Sequence, residues 1–123
     1  MASRILVVED HAESAEALLE LLGMWGYEAH TAGDGEGALD ALETLRPDVV
    51  IADIGLPGMD GHELARRIRR IRGRDSMLLI ALTGYGENGS EFVASGFDHH
   101  LVKPVDLNNL ERLLAGRGRR MET

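Results

Sequence analysis

The sequence predicts an α/β fold in which helices cover both faces of a parallel sheet. Five short apolar segments alternate with five segments in which apolar residues recur at helical spacing, which is the pattern of repeated strand–helix–strand units. The 123 residues suit one domain, and a hydrophobic content of 44% is enough to fill its core. The chain has no cysteine, so disulfide bonds and thiolate metal sites are excluded.

The first part of the chain contains two strand–helix units. Residues 5–8 are wholly apolar and run into two acidic residues, which is typical of a buried parallel strand that ends at the edge of a sheet. Residues 12–22 carry alanine and leucine at helical spacing and stop near two glycines. Residues 27–31 alternate as a strand does, and residues 38–45 form a second helical stripe that ends before Pro47.

The middle of the chain contains the strongest strand signal. Residues 48–53, with the sequence DVVIAD, predict a buried strand, and the breakers GLPG follow it at residues 55–58. A third helical stripe covers residues 64–71, and a fourth apolar strand is predicted at residues 77–82.

The last part of the chain contains the weakest helix signal, at about residues 88–95. A fifth strand is predicted at residues 98–102. Leucines at helical spacing over residues 107–114 predict a final helix, with Asp106 as its N-cap.

We expect residues 1–123 to form one domain, with a core from about 3 to 115 and a frayed tail at 116–123. No apolar run approaches the ~18 residues that a membrane span needs. The N-terminal segment turns acidic before the apolar core of a signal peptide could form. We therefore expect a cytoplasmic protein without a membrane partner.

Charge is distributed unevenly along the chain, whose formal net charge is −8. Residues 1–61 carry 13 acidic and 2 basic residues, a net charge of −11, whereas residues 62–123 carry 8 acidic and 11 basic residues, a net charge of +3. Six arginines lie between Arg66 and Arg74, either as a solvated helix face or as a surface for an anionic partner. The acidic balance of the whole argues against general nucleic-acid binding, which needs a basic surface.

Polar residues follow four of the predicted strands at their carboxyl ends, where parallel sheets bind ligands. These residues are Glu9, Asp10, Asp53, Thr83 and Lys103, and Lys103 is the only lysine among 13 basic residues. The first and third strands are expected side by side, so three carboxylates converge and repel one another unless a cation neutralises them. A cluster of oxygen donors without thiolates suits Mg²⁺.

The complete set of strand-end groups suits phosphoryl chemistry. A carboxylate nucleophile, a divalent cation, the Thr83 hydroxyl and the Lys103 ammonium are the groups needed to hold a phosphoryl group on an aspartate. Each residue alone has an ordinary alternative, such as an N-cap for Asp10 or a solvated strand end for Asp53. Their occurrence together at four strand ends favours a phosphoryl site.

Four segments of this sequence resemble the receiver domain of two-component response regulators and hybrid histidine kinases. They are RILVVED, DVVIADIGLPGMDG, ALTGYG and GFDHHLVKP, and the resemblance covers the whole chain. It implies a flavodoxin-like, doubly wound sheet of five parallel strands in the order 2-1-3-4-5. It also implies a phosphorelay role, in which Asp53 accepts phosphate from the phosphohistidine of a histidine kinase or a histidine phosphotransfer protein.

The resemblance also implies a Mg²⁺ cofactor and its ligands. Asp10 is expected to bind the ion directly and Glu9 through water, while Asp53 and the backbone carbonyl of Gly55 complete the metal site. Such a domain is not an enzyme, apart from catalysing its own phosphotransfer and dephosphorylation.

For the phosphoryl group, the resemblance implies three further roles. Thr83 is expected to bond to it, the small Gly84 leaves access to it, and Lys103 pairs with it. The Lys103–Pro104 bond is expected to be a cis peptide, which only an X–Pro bond permits at low cost.

Two features depart from the usual receiver pattern. Only 20 positions separate Thr83 from Lys103, fewer than receivers of this kind usually have, which predicts a shortened fourth helix. The residue three before the lysine is His100, where the family usually has a tyrosine or phenylalanine that rotates as a switch. The sequence leaves open whether His100 is a switch or a partly exposed strand residue. No metal cluster is predicted from the remaining histidines, which are His11, His30, His62 and His99.

Other functions on the same fold fit the sequence less well. A Mg²⁺-dependent hydrolase working through an aspartyl-phosphate is the main alternative, but it usually needs a second carboxylate two residues after the nucleophile, where Gly55 stands. A flavin-binding module needs a phosphate loop rich in glycine and hydroxyl groups after the first strand, and EDHAES is anionic instead. The sequence leaves open whether the chain is a stand-alone regulator or a receiver from a larger hybrid kinase.

Overall fold

The computed structural model describes residues 3–72, 77–84 and 89–116. Strands and helices alternate throughout these ranges. The strands are β1 (Arg4–Val8), β2 (Glu28–Ala32), β3 (Val49–Asp53), β4 (Leu78–Thr83) and β5 (His99–Val102). The helices are α1 (Ala12–Met24), α2 (Gly35–Leu45), α3 (Gly61–Arg72), α4 (Gly89–Ser95) and α5 (Leu107–Gly116). Among the described residues, no helix has both the length and the apolar character of a membrane span.

All five strands are parallel and lie in the order β2-β1-β3-β4-β5, which confirms the predicted sheet. Strands β1 and β3 end side by side, because Val8 of β1 pairs with Ala52 of β3. Thr83 of β4 pairs in turn with Val102 of β5. The register therefore brings the polar residues that follow these strands to one edge of the sheet.

Side chains of the strands alternate between two cores, one on each face of the sheet. The core beneath α2, α3 and α4 contains Leu6, Val8, Ala38, Leu42, Val50, Ala52, Leu64, Ile68, Leu79, Ala81 and Phe92. The core beneath α1 and α5 contains Ile5, Val7, Leu22, Val49, Ile51, Leu78, Ile80, Leu82, Leu110 and Leu114. Burial on both faces explains why β1, β3 and β4 read as continuous apolar runs.

Two helices begin three residues before their predicted apolar stripes, because acidic residues cap them. The Asp34 carboxylate accepts a hydrogen bond from the Gly37 N–H at 2.8 Å at the start of α2. The Asp60 carboxylate accepts one from the Glu63 N–H at 2.9 Å at the start of α3. In both cases the cap satisfies an amide of the first turn, which allows the helix to begin before its first buried leucine or alanine.

The third and fifth helices include their predicted apolar stripes, but one residue at an end of each stripe is exposed: Ile71 at 58% and Leu107 at 46%. On α3, Leu64 and Ile68 are buried and lie four residues apart. The next position on the same face is therefore residue 72, so Arg72 faces inward in the last turn. Its guanidinium donates a hydrogen bond to the Leu42 carbonyl at 2.6 Å.

Among the described residues, the fourth helix covers the seven residues Gly89–Ser95. The first residue of the predicted helix, residue 88, lies outside the described residues. Helix α5 ends at Gly116, and the rest of the expected frayed tail, residues 117–123, also lies outside them.

Candidate functional site

The end of β1 places two acidic residues at the edge of the sheet. Glu9 continues the strand ladder, since its N–H donates to the Ala32 carbonyl at 3.0 Å. Its side chain is buried, and Oε2 accepts a hydrogen bond from the His11 N–H at 3.1 Å. Asp10 is exposed, and the N-cap of α1 is His11. Asp10 is therefore not the cap of this helix.

The end of β3 places Asp53 beside these two residues. Asp53 is 9% exposed, and its Oδ1 accepts a hydrogen bond from the Gly55 N–H at 3.0 Å. A ligand oxygen from each of Glu9, Asp10 and Asp53 can be chosen so that all three lie within 4.8 Å of one another. The structure thus brings together the three predicted carboxylates.

The ends of β4 and β5 supply the hydroxyl and the ammonium group. Thr83 is buried, and its hydroxyl donates to the Gly84 carbonyl at 3.1 Å. The Lys103 N–H donates to the Thr83 carbonyl at 2.8 Å, and the Lys103–Pro104 peptide is cis. Lys103 Nζ lies 2.9 Å from Asp53 Oδ2. Gly84 is exposed, and apart from its chain neighbours no atom of the described residues lies within 4 Å of the position that a Cβ would take there.

We call Glu9, Asp10, Asp53 and Lys103 the strand-end cluster. Burial raises the pKa of Glu9 above its usual value of 4.5, and the nearby charge of Asp53 adds to this, against the His11 hydrogen bond and the Lys103 charge. Burial lowers the pKa of Lys103, but its hydrogen bond and ion pair with Asp53 and the charge of Glu9 raise it overall. Lys103 Nζ is also 3.6 Å from Glu9 Oε1. The ammonium is therefore shared between two crowded carboxylates.

The donor chemistry of the strand-end cluster fits a hard divalent cation. All acidic ligands are carboxylate oxygens, and one ammonium group only partly balances their charge. Like charges in a confined site favour binding of a cation that neutralises them. The cluster could hold a metal ion, and Mg²⁺ matches an all-oxygen ligand set.

His100 lies on β5, three residues before Lys103, and is not one of the residues of the strand-end cluster. Its residue is exposed, yet the imidazole stacks on the Phe92 ring of α4, with centroids 4.6 Å apart and planes 13° from parallel. Phe92 also stacks on His62 of α3, with ring centroids 5.0 Å apart. Sequence reasoning gave His62 no role, because no periodic pattern indicates that rings from three separate elements meet.

Comparison with known proteins agrees with the fold. The family model described as the response regulator receiver domain matches residues 5–115. The chain is 37% identical over 111 residues to the sensor histidine kinase RcsC of Salmonella typhi, covering 90% of this chain and 12% of that protein. It is 38% identical over 122 residues to the DNA-binding response regulator MtrA of Mycobacterium tuberculosis, covering 98% of this chain and 52% of that protein.

Solved structures show the same fold. A response regulator receiver domain protein from Clostridium thermocellum superposes with a TM-score of 0.88 at 28% identity, over 98% of this chain and 97% of that one. The chain thus spans nearly all of a receiver structure, but only 12% of RcsC and 52% of MtrA.

Proposed function

The chain belongs to the family of response regulator receiver domains, and on that premise we propose that Asp53 accepts a phosphoryl group from a protein phosphohistidine. The observation that carries the proposal is the setting of Asp53. One carboxylate oxygen accepts from the Gly55 N–H at 3.0 Å, and the other accepts from Lys103 Nζ at 2.9 Å. A carboxylate fixed in this way is oriented for attack and still reaches the surface at the sheet edge.

The proposed transfer makes Asp53 the nucleophile. One of its carboxylate oxygens attacks the phosphorus, the phosphorus–nitrogen bond of the donor breaks, and the electron pair leaves with the imidazole nitrogen. An acyl phosphate then remains on Asp53. The ammonium of Lys103 lies where it can pair with the new phosphoryl charge, and the Thr83 hydroxyl can turn from the Gly84 carbonyl to a phosphoryl oxygen. Gly84 has no side chain to obstruct the group, and its Cβ position is open with respect to the described residues.

The proposed cofactor is Mg²⁺. Asp10 would bind it directly and Glu9 through water, with Asp53 and the Gly55 carbonyl completing the ligand set. When bound, the ion would neutralise charge on the phosphoryl oxygens. The support for this is the all-oxygen donor set, in which ligand atoms from Glu9, Asp10 and Asp53 lie within 4.8 Å of one another.

The proposed partners are a histidine kinase or a histidine phosphotransfer protein as donor, in the cytoplasm. RcsC is named a sensor histidine kinase and MtrA a DNA-binding response regulator, and each name describes a protein much longer than the matched region. The proposal takes from these relatives only phosphate acceptance by a receiver, with residues 1–123 as one receiver domain. It includes no catalysis beyond phosphotransfer to Asp53 and loss of that phosphate.

Intact mass after incubation with acetyl phosphate and Mg²⁺ tests the proposal. We expect the protein to gain one acid-labile phosphoryl group, and the gain to disappear in Asp53→Asn and in the presence of a chelator. Asp53→Asn has nearly the same side-chain size, so its far-ultraviolet circular dichroism should match the wild type. Phosphate uptake at the wild-type rate by Asp53→Asn would contradict the assignment. Steady turnover of a small phosphate ester would instead support the hydrolase.

A further inference from the structure

Helix α4 is held in place by few side chains. Its described part, Gly89–Ser95, has seven residues, and a segment of fewer than ~12 depends on tertiary packing for its stability. Among residues 91–95, whose side chains the structure describes, Phe92 and Ser95 are the buried ones, at 1% and 3% exposure. The position of α4 therefore depends on what these two residues contact.

Both buried residues of α4 contact His62, in the first turn of α3. His62 Nδ1 lies 2.8 Å from Ser95 Oγ, and the imidazole stacks on the Phe92 ring with centroids 5.0 Å apart. The Ser95 hydroxyl has one hydrogen, which it directs to the Glu91 carbonyl at 3.0 Å or the Phe92 carbonyl at 3.2 Å. The contact between His62 Nδ1 and Ser95 Oγ is therefore a hydrogen bond that joins the side chains of α3 and α4.

The contact continues from α4 to β5. Phe92 stacks on both His62 of α3 and His100 of β5. Phe97 packs edge-on against both His62 and Phe92 at 6.2 and 6.1 Å. Offset and edge-on ring contacts of this kind add to the stability that burial alone provides. We call these four residues the aromatic cluster, and it joins α3, α4 and β5.

The start of α3 is itself tied to the backbone of Asp53. The Gly61 N–H donates to the Ile54 carbonyl at 3.0 Å. A Cβ at Gly61 would lie only 2.8 Å from the Asp53 carbonyl oxygen, so glycine is required for this close approach. Any displacement of the Asp53 or Ile54 peptide must therefore move Gly61, and His62 is the next residue.

We infer that His62 is a positioning residue that transmits the state of Asp53 to α4 and to position 100, an inference that rests on the proposed phosphorylation of Asp53. The route runs from the Asp53 peptide through Gly61 to His62, and from His62 to Phe92 and Ser95. It does not involve the Thr83 hydroxyl. A contiguous set of packed contacts permits such coupling, and coupling measurements decide whether it operates.

The test is amide hydrogen exchange of residues 92–97 with and without beryllofluoride and Mg²⁺, a stable mimic of the phosphoryl group. In the wild type we expect exchange there to change by about fivefold or more, the lower end of typical allosteric coupling. In His62→Ala the change should fall below about twofold, at saturating beryllofluoride. Ser95→Ala, which removes the hydroxyl that contacts His62 and keeps the His62–Phe92 ring contact, should lose part of the response. His30→Ala on β2 is the matched control and should respond as the wild type does.

Two results would overturn the inference. One is a full response in both His62→Ala and Ser95→Ala. The other is a response that survives in His62→Ala but disappears in Thr83→Ala, which would route the coupling through the hydroxyl. If His62→Ala fails to fold, His62→Phe replaces it, because phenylalanine keeps the ring contact with Phe92 but cannot form the hydrogen bond to Ser95. A full response in both His62→Phe and Ser95→Ala would exclude a role for this hydrogen bond. A wild-type protein that binds no beryllofluoride would instead refute the proposed function, and the inference with it.

Discussion

Ion pairs of similar length have different surroundings in two regions of the molecule. In the strand-end cluster, Lys103 Nζ lies 2.9 Å from Asp53 Oδ2, and the Asp53 side chain is 13% exposed. On the outer face of α3, Arg67 Nε lies 2.8 Å from Glu63 Oε2, and these side chains are 45% and 33% exposed. Water screens the second pair more strongly, so equal distances do not mean equal interaction energies.

The two regions also differ in charge balance. The strand-end cluster has three carboxylates and one ammonium group, so the carboxylate charge is only partly neutralised and favours binding of a cation. On α3, Arg66 and Arg67 both bind Glu63, while Arg69 and Arg72 donate to backbone carbonyls of neighbouring segments. Most of the basic run is thus engaged within the protein, which favours a structural role over a surface for an anionic partner. We therefore expect ligand binding at the strand-end cluster, where the charges are largely buried and unbalanced, and not on the outer face of α3.

Among variants that compare the two regions, Lys103→Met in metal-free buffer is expected to change the free energy of unfolding most. It leaves two buried carboxylates without their ammonium partner. Because the lysine side chain is 40% exposed, we expect a loss of about 1.5 kcal/mol in the free energy of unfolding, the low end for hydrogen bonds to charged groups. Urea unfolding measures it, with Arg67→Met on α3 as the control that should lose much less. Equal losses in the two variants would remove the distinction between the regions.

The same variant should bind Mg²⁺ more tightly than the wild type, because the ammonium no longer competes for the carboxylates. The shift of melting temperature with added Mg²⁺ measures the affinity. Weaker binding would mean that Lys103 orients the carboxylates for the ion.

Asp10→Ala should act in the opposite direction. We expect Mg²⁺ affinity to fall by about tenfold or more, since even residues that only support a metal ligand cost about 10–100-fold when changed. Without metal, the melting temperature should rise slightly, because one of three repelling carboxylates is gone. Asp40→Ala on α2, an exposed acid away from the cluster, is the control for charge alone. A lower melting temperature for Asp10→Ala would show that Asp10 supports the start of α1.

The strands and the polar residues at their ends were predictable from local patterns, whereas the strand order was implied by the resemblance to receiver domains. Apolar runs define β1, β3 and β4, and in a parallel sheet the next polar residue must lie at the carboxyl edge, which places Glu9, Asp53 and Lys103. Helix starts were less predictable, since the cap at Asp34 depends on one side chain and not on a repeated spacing.

Contacts between distant elements were not predictable. Arg69 donates at 2.8 Å to the Gly96 carbonyl and at 2.9 Å to the Met77 carbonyl, and it pairs with Asp98 at 2.8 Å, yet in the sequence it is one arginine among six. Its position follows from how α3 packs across the sheet. Nor does any spacing reveal that His62 and His100 both stack on Phe92, because the three residues belong to three elements.

The smallest effect is expected from Glu63→Gln on the outer face of α3. Hydrogen bonds from Arg67 and Arg66 lower the pKa of Glu63 below its usual 4.5. A lowered pKa in the folded state means that the ionised form stabilises the fold. This contribution is complete above the unfolded-state value and is lost as the pH falls through the folded-state value. Urea midpoints should therefore differ slightly between wild type and variant near neutral pH, and converge well below pH 4.5. Added salt should reduce the difference, because the pairs face water. If the urea midpoints of wild type and variant still differ in acid, the contribution of Glu63 comes from packing of its side chain and not from its charge. The comparison between the outer face of α3 and the strand-end cluster would then no longer concern electrostatics alone.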